Sequence, residues 1–286
     1  MIPAEFPYAA PRSLEEAIQL LAATPGAKVL GGGMSLIPAL KHRMTQPTGV
    51  IDLGRIPGLD AIWVNETTIS IGGRATHAAV LASEAARRLP VLAEAASVIG
   101  DVQVRNRGTF GGSLVHADPA ADWPAVFLAL DGEADVVGPK GKRTIKAQDF
   151  FKSMLTSDLS HGEILTEVRL PLGPERTGSA YVKLRQPASG FAIVGVAVRV
   201  TLDAVHRITS VGIGVTGVNG VPFRAKTNES RLLGQIPDSL TFRGSCGSVS
   251  EADPMEDIHA SADYRRHLLA VFAARALERA SERALA

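Results

Sequence analysis

Two clusters of glycine and small hydroxyl residues have the composition needed to bring main-chain N–H groups up to an anion. In the first, Val29-Leu30 runs into Gly31-Gly32-Gly33-Met34-Ser35 and then Leu36-Ile37-Pro38. That order predicts a strand entering a tight loop whose N–H groups converge on a negative charge. The second lies between Arg105 and Asp122, where Gly108, Thr109, Phe110, Gly111, Gly112 and Ser113 precede His116, Asp118 and Asp122. The pair Gly111-Gly112 lets the backbone take positive φ and lets a ligand approach N–H groups with no Cβ in the way. Thr109 and Ser113 add hydroxyl donors on either side. A single Gly-Gly pair is a common turn signal, but two such loops suit the two phosphates of one dinucleotide.

Other constellations carry less. Asp118 and Asp122 are four apart and would share a helix face, with His116 nearby. No second histidine or cysteine stands at ligand spacing, so a metal is disfavoured, and Asp118 before Pro119 reads as a helix cap. The seven histidines are scattered, and neither Ser35 nor Ser113 has an identifiable base. Both serines therefore read as phosphate or ring contacts rather than nucleophiles. Gly212-Ile213-Gly214-Val215-Thr216-Gly217 matches G-x-G-x-x-G, but it lies inside a strand pattern and Asn219-Gly220-Val221-Pro222 follows where a helix must start. A Rossmann site is rejected there. Lys183, within Tyr181-Val182-Lys183-Leu184-Arg185, reads from pattern alone as a solvated charge on an edge strand.

Composition narrows the class further. Thirty Lys plus Arg against 29 Asp plus Glu leave a net charge of +1, which argues against an extended nucleic-acid or anionic-membrane surface. With 45% hydrophobic and 21% charged residues in a chain of 286, an ordinary globular protein of one large or two modest domains is expected. A single cysteine, Cys246, excludes an internal disulfide and a protein-held iron–sulfur cluster. No basic region with a long apolar run opens the chain, which sets a cytoplasmic location as the default expectation.

Several elements must hold these loops. Ser13 with Glu16 suggests a capping box ahead of a helix through Leu21, and Lys28 to Leu30 and Val50 to Leu53 read as strands of a small β-α-β unit closing near Gly54. Leu59 to Gly73 reads as a hairpin, Thr76 caps a helix from His77, and Pro90 to Ile99 and Trp123 to Leu130 read as helices. Glu163 to Leu170 alternates and ends at Pro171, as an edge or closing strand would. Pro171 to Gly178 is the expected domain boundary, followed by three strands and a long helical run from Tyr264 to Ala286.

The run Gly31 to Ser35 with Leu36-Ile37-Pro38, and the run Gln103-Val104-Arg105-Asn106-Arg107-Gly108-Thr109-Phe110-Gly111-Gly112-Ser113 continuing through His116 to Asp122, resemble the two FAD-binding signatures of the medium, flavin-carrying subunit of molybdenum hydroxylases, the carbon monoxide dehydrogenase and xanthine dehydrogenase family. The resemblance covers nearly the whole chain. It implies an α+β fold: a two-lobed FAD-binding domain of the vanillyl-alcohol-oxidase (PCMH) type over residues 1–175, with lobes of about 1–54 and 55–175, then a C-terminal α+β domain of the CO dehydrogenase flavoprotein type over 176–286. It implies FAD contacts from Leu30, Gly31, Gly32, Gly33, Met34, Ser35, Leu36, Ile99, Arg105, Gly108, Thr109, Gly111, Gly112, Ser113, Asp118, Asp122, Leu165, Lys183 and Phe191, and no catalytic side chain or metal of this chain's own.

By the same resemblance, Asp122 serves the ribose or diphosphate region and Lys183 faces the flavin. Phe191 stands where relatives carry a tyrosine against the isoalloxazine, and it can stack but not donate a hydrogen bond. Gly31 and Met34 replace the usual Ala and Gln or His. The implied activity is that of an electron-transfer subunit of an oxidoreductase. A small [2Fe-2S] subunit passes electrons to this chain's FAD, a large molybdenum-cofactor subunit oxidises substrate, and the assembly is a dimer of heterotrimers. Two alternatives stand beside it: a self-sufficient FAD oxidase or reductase of the same flavin fold, and a flavin-free scaffold.

Overall fold

The computed structural model describes residues 2–286. Its first sheet is small and parallel, in the order β1 (Tyr8–Ala9), β3 (Val50–Asp52), β2 (Lys28–Leu30), with α1 (Leu14–Ala23) before β2 and α2 (Leu36–Lys41) linking β2 to β3. Ser13 caps α1 by accepting from the Glu16 N–H at 3.1 Å, while the Glu16 carboxylate accepts from the N–H of Arg12 rather than of Ser13. Ala17 and Leu21 on α1 pack with Ile51, Leu53, Ile56 and Leu59 in a compact apolar cluster. That burial, more than the short strands, holds the lobe together.

The second sheet is antiparallel, ordered β4 (Ile62–Val64), β5 (Thr68–Gly72), β10 (Ile164–Pro171), β6 (Glu133–Gly138), β7 (Gly141–Lys146). Between β5 and β6 runs a helical stretch: α3 (His77–Ala82), α4 (Glu84–Arg88), α5 (Pro90–Ser97), α6 (Val102–Arg107), α7 (Phe110–His116) and α8 (Asp122–Ala129). After β7 come α9 (Ala147–Phe150) and the hairpin β8 (Phe151–Ser153) with β9 (Thr156–Ser157). The edge-strand expectation for Glu163 to Leu170 is corrected, because β10 is the middle strand, bonded to β5 and β6. Its alternation reflects one well-covered and one partly covered face, and Pro171 is tolerated because it stands at the strand's last position.

The third sheet is antiparallel and runs β11 (Thr177–Arg185), β12 (Ala192–Leu202), β13 (Ile208–Thr216), β14 (Phe223–Arg224). Helices α10 (Lys226–Leu232), α11 (Ser239–Cys246) and α12 (Ala262–Leu285) cover one face of it. Against the other lies α8, all eight of whose residues are buried, as befits a helix held between two layers. This explains the glycines of β13. A Cβ on Gly212 or Gly214 would overlap the carbonyl of Ala129 or Ala125 on α8, so these glycines let a strand and a helix touch backbone to backbone. Tyr181 and Ala197 of the third sheet share a core with Trp123, Phe110 and Phe127.

Candidate cofactor site

Three small polar residues start the helices that frame the site. Thr76 caps α3 by accepting from Ala79 N–H at 3.1 Å, Asp101 caps α6 by accepting from Val104 N–H at 2.8 Å, and Thr109 caps α7 by accepting from Gly112 N–H at 3.2 Å. Each satisfies a donor that the first turn leaves unpaired. The segments 73–77 and 108–111 are laced together by Phe110 N–H to the Ala75 carbonyl (2.9 Å) and His77 N–H to the Gly108 carbonyl (3.0 Å).

The first glycine loop sits on this seam. A Cβ on Gly31 would stand 3.0 Å from Thr109 Oγ1, and one on Gly32 would overlap the Arg107 carbonyl. Gly32 is thus required by contact, and Gly33, at φ +80°, by backbone conformation. Within the described residues, the N–H groups of positions 31 to 35 donate to no acceptor of the chain. Five successive unpaired amides in a glycine-rich bend form a donor set suited to phosphate oxygens. Leu30 ends β2, Ser35 precedes α2, and Leu36 opens it.

The second loop is built differently from its expected form. Gly111 and Gly112 are helical, inside α7, and neither has positive φ. The Gly111 N–H donates to the Gly73 carbonyl at 3.2 Å and the Gly112 N–H is taken by Thr109, so these two amides are not free donors. What the glycines provide is proximity: a Cβ on Gly111 would lie 2.6 Å from the Gly73 carbonyl and 2.8 Å from Leu165 Cδ2. The left-handed position is instead Ala117, at φ 53°, closing α7. Leu165 is buried beneath this contact, Thr109 is buried, and Ser113 is partly exposed.

The remaining expected contacts fall in two groups. Arg105 turns its guanidinium to the carbonyls of Ile99 (2.9 Å) and Gly100 (3.1 Å), pinning the turn that presents Ile99. Asp118 accepts from Ala120 N–H at 2.9 Å in a local turn and does not cap α8, whose N-cap is Ala121. Asp118 and Asp122 therefore share no helix face. Asp122 is buried, 2.8 Å from Lys183 Nζ, and accepts from the Tyr181 hydroxyl at 2.5 Å. The solvated-charge reading of Lys183 is corrected, since its side chain is 3% exposed and also donates to the Gly190 carbonyl at 2.7 Å. Two of its three ammonium donors are so committed, leaving one for a ligand. Burial pushes the Asp122 carboxyl above the usual aspartate range, with Lys183 and the Tyr181 hydroxyl opposing. Burial, then the Asp122 charge, raise the Tyr181 hydroxyl well above its ordinary value. Phe191 is 45% exposed on a loop closed by Gly190 N–H to the Gln186 carbonyl.

Sequence reasoning missed the pair His77 and Trp123, which stand 46 positions apart and join at 2.9 Å, with Trp123 Nε1–H donating to His77 Nδ1. It also missed Tyr181 as a ligand of Asp122 and Gly73 as the seat of Gly111. No local pattern announces any of these. Among the described residues no cluster of three or more His, Cys, Asp or Glu is placed to hold a metal, and no helix is long and apolar enough to cross a membrane.

Comparison with known proteins is consistent along the chain. Residues 4–173 match the model of the FAD binding domain in molybdopterin dehydrogenase, and residues 179–280 that of the CO dehydrogenase flavoprotein C-terminal domain. The carbon monoxide dehydrogenase medium chain of Hydrogenophaga pseudoflava is 36% identical over 283 residues, 98% of each chain. The nicotine 6-hydroxylase medium subunit of Paenarthrobacter nicotinovorans is 38% identical over 92% of each. Among solved structures, the Hydrogenophaga pseudoflava carbon monoxide dehydrogenase superposes with a TM-score of 0.95 over 99% of both chains at 36% identity. Quinoline 2-oxidoreductase from Pseudomonas putida 86 superposes at 0.92 over the full length of both, at 29% identity.

Proposed function

Because the chain belongs to the family of FAD-binding medium subunits of molybdenum hydroxylases, we propose that it is the electron-transfer subunit of such an enzyme. In this reading it stands between a small [2Fe-2S] chain and an external acceptor, while a large molybdenum chain oxidises the substrate. The assembly we propose is a dimer of such heterotrimers. The observation that carries the reading is the run of five unpaired amides at residues 31–35, seated directly on Arg107 to Thr109. The names of the relatives, a medium chain and a medium subunit, support a multi-chain setting. With its only cysteine buried in α11, this chain cannot hold an iron–sulfur cluster itself.

The residues present fit FAD. The amides of Gly31 to Ser35 would hold the diphosphate, with Leu30 and Leu36 at either end of the loop and Thr109 and Ser113 beside it. Ile99, fixed through Arg105, and Phe191 would bracket the ring, and Gly108, Gly111, Gly112 and Leu165 would set how closely the second loop approaches. Asp118 would shape the turn that leads into α8. Asp122 would act through Lys183, anchoring the ammonium and leaving one N–H free for the cofactor. FAD, when bound, supplies reversible electron exchange, and the protein's part is to hold it and tune its potential. A fixed cation beside the ring favours the form that carries negative charge.

The test is co-expression with the large molybdenum and small iron–sulfur chains, followed by purification. One FAD for each copy of this chain, measured after denaturation, and co-elution of all three chains are expected. A complex without flavin, or this chain turning over a substrate alone, would overturn the proposal.

A further inference from the structure

His77 is 5% exposed and opens α3 directly under the place where the two glycine loops meet. Trp123 has only a donor to offer, so the 2.9 Å bond from its Nε1–H requires Nδ1 of His77 to be unprotonated. The neutral imidazole then carries its proton on Nε2. That edge faces Gly108, because a Cβ built there would lie 2.6 Å from Nε2, and Nε2–H finds no acceptor of the chain among the described residues. Gly108 in turn supports Gly32: a Cβ on Gly32 would lie 2.9 Å from Gly108 Cα. Trp123, His77, Gly108 and Gly32 form one column from the core to the candidate phosphate loop.

We propose that His77, locked by Trp123 as the Nε2–H tautomer, is a positioning residue of the cofactor site, setting the seat of Gly108 and so the contact between the two glycine loops. The proposal rests on reading those loops as the FAD site. Protonation would put an Nδ1–H against the Trp123 N–H, donor facing donor, and unseat the column. The surroundings disfavour that proton. Helix α6 brings the positive charge of Arg105, and burial lowers the pKa of His77 to about 4. Helix α5 brings apolar Val91, Leu92, Ala95 and Ala96, its Glu94 being turned to Tyr181 N–H and Arg283. On α4, Glu84 and Arg88 pair with each other at the surface and Arg87 is exposed. On α8, Asp122 is committed to Lys183 and Tyr181.

The experiment uses the co-purified complex with His77→Ala and His77→Asn. The asparagine oxygen replaces Nδ1 as the acceptor for Trp123 but does not titrate. Flavin retention from pH 7.5 to about 3.5 and hydrogen exchange of peptides covering residues 29–37 and 104–113 are measured. For H77A, flavin affinity is expected to fall by about tenfold at pH 7.5. Exchange in both loop peptides is expected to rise by about tenfold, with β12 unchanged. H77N is expected to stay within about threefold of wild type at pH 7.5 and to lose the wild-type release step as the pH falls through about 4. An H77N profile that follows wild type, or H77A loops exchanging like wild type, overturns the inference. If no variant holds flavin yet both loops loosen in H77A, His77 keeps its positioning role and the cofactor reading is what fails.

Discussion

Lys183 Nζ lies 2.8 Å from a carboxylate oxygen of Asp122, and the two side chains are 3% and 5% exposed. Removing one partner of such a pair leaves a buried charge without compensation, a loss of about 3–5 kcal/mol. Asp122→Ala is therefore expected to lower the unfolding free energy by about that amount, measured by urea denaturation. Asp122→Asn combined with Lys183→Met is expected to recover much of the loss, because both charges then leave together.

Gly32 and Gly244 provide a matched pair of alanine substitutions. A Cβ at Gly32 meets the fixed Arg107 carbonyl, so Gly32→Ala must part the two loops, with flavin binding expected to fall by at least about tenfold and stability by about 1–3 kcal/mol. A Cβ at Gly244, inside α11, meets nothing within 4 Å. Gly244→Ala is expected to leave flavin content unchanged and to stabilise by about 0.5–1 kcal/mol. Flavin fluorescence after denaturation and thermal unfolding check both.

The depressed pKa of His77 has a stability consequence. Its folded value is about 4, set first by burial and then by Arg105. An unfolded histidine titrates near 6.5, so as the pH falls the unfolded chain takes up the proton first. The contribution is fully present above pH of about 6.5 and is lost between there and about 4, amounting to about 3 kcal/mol. Urea midpoints for H77N from pH 7.5 to 4.5 are expected to lack that part of the wild-type slope, and an unaltered slope would contradict the assignment.

Cys246 is 1% exposed, and burial pushes its thiol up to about 12. It is expected to resist thiol reagents at pH 8 in the folded protein, since the thiolate is the nucleophile, and to react at once in urea. Labelling rates therefore report opening of the core under α11.

Much of the fold could be read from local signals. Ser13 and Thr76 mark real helix starts, the hairpin expected within Leu59 to Gly73 forms, and Lys28 to Leu30 does feed the first glycine loop. The errors share one cause, which is that contact partners lie far away in sequence. Gly111-Gly112 looks like a turn because the carbonyl that requires it belongs to Gly73, and Lys183 looks solvated because its carboxylate comes from Asp122. The alternation of β10 shows two unequal faces, but it says nothing of how many neighbours the strand has.

Helix α8 shows why the chain resists division. Its first residue neutralises Lys183 in the third sheet, the next holds His77 beneath the loops, and the carbonyls of Ala125 and Ala129 receive the glycines of β13. A chimera joined in the loop after Pro171 would set a foreign wall against this helix on three counts at once. Exchange of parts between relatives is therefore constrained to carry α8 along with the sheet it supports, so the unit of inheritance here is a contact surface rather than a contiguous stretch of chain.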